Sequence, residues 1–120
     1  MQEEKPWMLN DGTRLVRINI NDVAYLKADR VYCQIHMKAE GREREGRIYT
    51  LSRPLGEVEQ TLPPGTFVRI HRSYIINIWM VQMVMGRIVR LMDGTEMTIG
   101  EQYRDALNDR FWVLNQPYPK

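Results

Sequence analysis

Apolar residues recur at every second position through much of this chain, the period of extended strands with one buried face. Val16, Ile18 and Ile20 alternate with Leu15, Arg17 and Asn19 just after an Asn10-Asp11-Gly12 turn, which predicts a first half-buried strand. Val23 to Ala28 and Tyr32 to Met37 predict two more, joined by a tight Asp29-Arg30-Val31 corner. Lys38 to Gly46 is rich in glycine and charge and reads as a solvated hairpin loop. Arg42, Arg44 and Arg47 alternate there with Glu43 and Glu45, so the charge nearly balances. Arg47 to Leu51 returns as a strand.

The clearest helix signal follows. Ser52 is a candidate cap, Pro54 suits the first turn, and Leu55, Val58 and Leu62 fall at helical spacing until Pro63-Pro64-Gly65 stops them. Gly56 costs about 1 kcal/mol relative to alanine inside a helix, so the helix should be short. Thr66 to Ile70, Tyr74 to Ile78, Val81 to Met85, Arg87 to Met92 and Thr95 to Ile99 read as strands, with Gly86 and Asp93-Gly94 supplying turns. Glu101 to Arg110 predicts a last short helix that turns Tyr103, Ala106 and Leu107 to the core. No strand is followed by a long crossover helix, which argues against a parallel α/β arrangement. The expectation is a mainly β, elongated antiparallel domain of small sheets with one or two short helices. Residues 1–7 read as a flexible lead-in, 8–114 as one domain and 115–120 as a tail, with no internal repeat or linker.

Composition narrows the function classes. The longest apolar stretch, Ile75 to Met85, is broken by Asn77 and Gln82 and falls short of the roughly 20 residues that a membrane helix needs. A single cysteine, Cys33, allows no internal disulfide, and the charged start lacks a signal-peptide core, so a cytoplasmic setting is expected. His36, His71 and Cys33 are too few and wrongly spaced for a zinc site, and no glycine-rich phosphate loop precedes a helix. No enzymatic activity and no cofactor are expected. The net charge of +2 says little, but 13 of the 17 basic residues are arginine, whose planar fork suits phosphate and guanine edges. An arginine-rich genome produces the same bias. Trp79 with Met80, Met83 and Met85 suits core filling or a partner surface.

The densest segment is Phe67-Val68-Arg69-Ile70-His71-Arg72-Ser73-Tyr74-Ile75-Ile76-Asn77. Strand alternation sets Phe67, Arg69 and His71 on one side and Val68 and Ile70 on the other. A polar, basic corner then joins two apolar strands. Read from physics alone, two accounts stand: Arg72 projects toward a groove, or His71, Arg72 and Asn77 are structural and turn residues. Ser73 and Asn77 can tie nearby main chain. Arg69 is open between pairing with a carboxylate at the core edge and binding phosphate.

This segment resembles the hallmark of the LytTR family, Phe-x-Arg-x-His-Arg-Ser-x-x-Val/Ile-Asn. Val23 to His36 is similar to the family's early Ile-x-Tyr-Leu-Glu-Ala-Asp-x-x-Tyr stretch, and Leu55 to Pro63 to its Leu-x-x-Leu-Glu-x-x-Leu-Pro helix. Asp93 to Gly100 with Tyr103-Arg104 resembles its closing pattern, so the resemblance covers roughly Gly12 to Leu107. It implies an output domain of bacterial response regulators, an elongated fold of small antiparallel sheets, and sequence-specific binding of double-stranded DNA by loops in successive major grooves. It further implies paired direct repeats and two copies, a homodimer on DNA. Base contacts would come from Arg30, Val31 and Tyr32, then from Arg72, then from Glu101 and Gln102, with Arg69, Ser73 and Arg104 as further DNA-contacting candidates. Tyr32 would cover the core with its ring and reach phosphate with its hydroxyl. Glu101 departs from the basic residue common at its place, and either caps the last helix or accepts from a cytosine amino group. The competing reading is a protein-interaction module of the same fold with weak or no DNA binding. A small RNA-binding domain is disfavoured by the lack of an aromatic stacking platform.

Overall fold

The computed structural model describes residues 5–41 and 46–115. The start of the expected lead-in (1–4), the charge-alternating stretch 42–45 and nearly all of the expected tail (116–120) lie outside the described residues.

A central sheet takes β3 (Val23–Asp29), β4 (Tyr32–Met37), β5 (Ile48–Leu51), β6 (Phe67–His71) and β7 (Tyr74–Asn77) in the order β5-β4-β3-β7-β6. Every pairing in it is antiparallel. On one face lie a hairpin, β1 (Trp7–Asn10) with β2 (Leu15–Ile18), and helix α1 (Leu55–Glu59). Leu9 and Ile18 of the hairpin join Leu55 and Val58 of α1 over Leu26, Cys33, Ile35, Phe67 and Ile75. A second sheet, β8 (Val81–Met85), β9 (Ile88–Leu91) and β10 (Glu96–Thr98), covers the other face with helix α2 (Arg104–Asn108). Val89, Leu91, Met97 and Leu107 close there over Ala24, Ile70 and Ile76. The two cores therefore follow from strand parity: neighbours such as Ile75 and Ile76 enter opposite layers. The radius of gyration, 15.0 Å, exceeds the roughly 13–14 Å of a round domain of this size, as the elongated expectation requires.

The chain changes sheets twice, each time by the same device. Ile18-Asn19-Ile20-Asn21-Asp22-Val23 and Ile76-Asn77-Ile78-Trp79-Met80-Val81 share a pattern that the sequence reading did not register as a repeat. In each, the asparagine side chain accepts a hydrogen bond from the backbone N–H two residues on and starts a 3-10 turn, Ile20–Asp22 or Ile78–Met80. In each, the valine N–H closes that turn, and a bulge follows, between Val23 and Tyr25 or between Val81 and Met83. Turn plus bulge bends the strand out of one sheet and into the next.

Several local expectations need correction. Strand β1 begins at Trp7, inside the expected lead-in; only Leu9 of its four residues is buried, so alternation gave no signal. Its turn is set by Asp11, which accepts from the N–H and hydroxyl of Thr13 and from Arg14. The Thr13 N–H and the Arg14 side chain hold this carboxyl down at about 2. Ser52 does not cap α1; Pro54 occupies the cap position with no side-chain bond. The last helix is split into a 3-10 turn, Glu101–Tyr103, and α2, and Ala106 faces solvent while Leu107 is buried. Finally, a bulge between Arg69 and His71 breaks the alternation in β6. His71 pairs with Tyr74 and lies against its ring, so it does not share the face of Phe67 and Arg69.

Candidate nucleic-acid interface

Antiparallel pairing of β3 with β7 sets Lys27 opposite Tyr74, so the end of β3 lies beside the start of β7. The Ala28 N–H donates to the Ser73 carbonyl at 2.9 Å. The Arg30-Val31 turn and the His71-Arg72-Ser73 corner are thus neighbours at one end of the sheet. The Gly100 N–H donates to the Ile70 carbonyl at 2.7 Å, which draws the start of the last helical segment to the same corner. A side chain at 100 would crowd the Tyr103 ring, with an added Cβ 2.9 Å from it, so glycine suits the turn that carries Tyr103. Three segments distant in sequence converge here: Arg30 to Tyr32, Arg72 with Ser73, and Glu101 with Gln102.

The β3–β4 turn has two residues between the paired Asp29 and Tyr32. Arg30 takes φ 60°, a left-handed conformation that costs a non-glycine residue about 1–2 kcal/mol. Val31 is exposed at the tip. Tyr32 is exposed as well, so its ring does not cover the core as expected.

The His71-Arg72-Ser73 corner is held from several sides. The Arg69 Nε donates to the His71 carbonyl at 2.8 Å, its Nη2 to the Arg72 carbonyl at 2.6 Å and its Nη1 to Glu59 Oε1 at 2.6 Å. The Ser73 N–H donates to His71 Nδ1 at 3.0 Å, which puts the ring proton on Nε2. Ser73 therefore ties the corner through its main chain and not, as expected, through its hydroxyl. Arg72 is exposed, and among the described residues no hydrogen bond or ion pair engages its guanidinium. The sequence left Arg69 open; the structure turns it inward, with its side chain only 20% exposed, onto the carboxylate of α1. Glu59 was the residue that sequence reasoning missed. The sequence shows only that the helix carries two acids, Glu57 and Glu59, ahead of a basic strand residue; which of them Arg69 meets depends on how α1 lies across the sheet.

Glu101 opens its 3-10 turn but makes no capping hydrogen bond; Gly100 is the cap residue. Its carboxylate lies 3.8 Å from the Arg87 guanidinium, and both are more than half exposed, a pairing that contributes little. Gln102 is exposed, and Arg104 is exposed at the head of α2.

Among the described residues no group of three His, Cys, Asp or Glu side chains is placed to hold a metal. Burial pushes the Cys33 thiol up to about 11, far from a reactive thiolate. Among the described residues no helix is long and apolar enough to cross a membrane. Trp79 and Met85 are exposed, so they do not fill the core, whereas Met80 packs on it.

The geometry agrees with what the chain is similar to. The model of the LytTr DNA-binding domain matches residues 13–112. The transcriptional regulatory protein LytR of Staphylococcus aureus strain MW2 is 37% identical over 60 residues, which take in 46% of this chain and 24% of that protein. LytR of strain N315 matches to the same extent. The matched segment thus spans about a quarter of the length of these curated relatives. The solved LytTr DNA-binding domain of a Bacillus cereus response regulator superposes with a TM-score of 0.72 over 90% of this chain and 97% of its own. Its sequence is 18% identical, so this likeness concerns the fold alone. With the family model matched over most of its length and the fold shared, the chain belongs to the LytTR DNA-binding domain family.

Proposed function

We propose that this domain binds double-stranded DNA sequence-specifically, by loops inserted in the major groove, and acts in transcription regulation. The observation that carries the reading is Arg72: an exposed, unengaged guanidinium on a corner whose backbone is fixed by Arg69, His71 and Ala28. Such a side chain can offer two parallel donors to O6 and N7 of guanine without first ordering its loop. Arg30 and Tyr32 on one side and Gln102 and Arg104 on the other extend the same end of the molecule toward bases and backbone. The Ser73 hydroxyl supplies a further phosphate donor. Phosphate contacts would set orientation and a few base contacts would set sequence. No cofactor enters this scheme. The partner is duplex DNA carrying paired direct repeats, occupied by two copies of the domain.

Selection from a random duplex pool tests this reading. The expected product is a short guanine-containing element present twice, with half-sites about 10–10.5 base pairs apart or a multiple of that. A pool that shows no enrichment overturns it. The protein-interaction reading would then lead, since Trp79 in the turn before β8 and Met85 on β8, an edge strand of its sheet, expose apolar surface.

A further inference from the structure

We infer that Glu59 and Arg69 form a clamp that positions Arg72 for base reading, so that Arg69 is a positioning residue and not a phosphate contact. The inference rests on the proposed reading of Arg72 as a DNA-contacting side chain.

The carbonyls of His71 and Arg72 belong to the two peptide planes that flank the Arg72 Cα. One guanidinium bonds to both, at 2.8 and 2.6 Å. Fixing both planes fixes φ and ψ of Arg72, and with them the direction in which its side chain leaves the backbone. The second plane is held at its other end too, because the Ser73 N–H donates to His71 Nδ1. The rigid fork of arginine can span two carbonyls and a carboxylate at once, whereas a lysine ammonium is a single point with no such spacing. Glu59 completes the arrangement from α1, ten residues earlier, with a 2.6 Å charge-assisted bond. It compensates a cation that is four-fifths covered and keeps the fork turned inward. With Nε, Nη1 and Nη2 each engaged inside the fold, Arg69 would have to break the corner to reach a phosphate. The helix beneath the sheet thereby supports the reading loop. Losing the clamp should leave phosphate attraction in place and make the ordering of Arg72 a cost of specific binding.

The test uses Glu59→Gln, Arg69→Lys and Arg72→Ala, alone and combined. Affinity is read by fluorescence anisotropy on the duplex recovered from the random pool by the unmodified chain, and on a scrambled duplex of equal composition. Thermal unfolding gives the folded fraction of each variant. The clamp predicts that Glu59→Gln and Arg69→Lys each weaken binding to the recovered duplex by about five- to tenfold while the scrambled duplex changes by less than about twofold. In the Arg72→Ala background neither should have a further effect on the recovered duplex. A phosphate-contacting Arg69 gives the opposite sign for Glu59→Gln, since removing the carboxylate frees a cation and tightens binding to both duplexes; that result overturns the clamp. So does an equal loss on both duplexes, or a loss that persists without Arg72. If Arg72→Ala itself leaves the recovered duplex bound as before, Arg72 does not read DNA, and the clamp falls with that reading and not through Arg69 or Glu59.

Discussion

Replacing Asn77 with alanine should be among the most costly single truncations in the molecule, because this side chain staples the two sheet-switching corners to each other. Asn77 is 1% exposed. Its Oδ1 accepts from the Trp79 N–H at 2.9 Å, and its Nδ2 donates to the carbonyls of Asn21 at 3.1 Å and Val23 at 3.0 Å. Asn77→Ala therefore removes an N-cap and leaves two carbonyls from the other corner without their donor. At about 1 kcal/mol for each hydrogen bond, with the penalty falling on groups that water reaches poorly, the loss should be about 3 kcal/mol. For a domain of this size that lowers the melting temperature by roughly 10 °C. Asn19→Ala is the internal control. Asn19 occupies the equivalent position in the first corner and is exposed, and among the described residues its side chain makes only one local bond, accepting from the Asn21 N–H. Its loss should stay near the roughly 1 kcal/mol typical of an N-cap. Denaturant and thermal unfolding of the two variants decide the matter. Equal losses at the two positions would refute the argument, because the excess at Asn77 comes entirely from the bonds that cross between corners.

Three further outcomes follow from the geometry. Arg30→Asn should raise stability by up to about 1 kcal/mol, since asparagine tolerates the left-handed turn, while duplex affinity falls; a loss of stability in denaturant titration would show that the turn is not strained. Glu101→Gln should tighten binding to every duplex by about two- to fivefold, by removing a carboxylate and releasing Arg87, with little change in melting; a lost preference at a single base pair would instead make Glu101 a reader of cytosine. Burial, helped by the Lys27 charge and opposed by Asp93, holds the His36 imidazole below its ordinary 6.5 where it stacks on Tyr25. The unfolded chain then binds the extra proton, so the contribution of His36 to stability is present above pH 6.5 and is lost as pH falls through the lower folded value. Unfolding measured against pH should show a shallower acid loss in His36→Phe than in the unmodified chain; identical profiles would contradict the assignment.

Much of the fold was legible because the period-two pattern is strong where a strand has one face on a core. Strands β4 and β8 are bounded by turn residues and were placed to the residue. The pattern fails where burial is sparse or where parity slips. Strand β1 buries one side chain, and the bulge after Arg69 turns His71 to the face of Tyr74. A bulge is a main-chain event with no residue type of its own, so alternation cannot reveal it. The convergence of Arg30, Arg72 and the Gly100 segment was not legible from composition or periodicity either. It depends on β3 pairing with β7, and on one hydrogen bond from Gly100 to Ile70. The motif resemblance supplied the three places, and the sheet order supplies the physical reason that they lie together. Neither indicated that Arg69 points inward, because that depends on where α1 lays Glu59 across the sheet.

We propose that this end of the domain binds duplex DNA through its phosphates and reads bases at a few points. A salt titration of the unmodified chain on the recovered duplex tests it most directly. If about four to six phosphates are neutralised, the logarithm of the association constant should fall against the logarithm of salt concentration with a slope of about −4 to −5. A flat response, or no binding to any duplex at about 50 mM salt, would contradict the account.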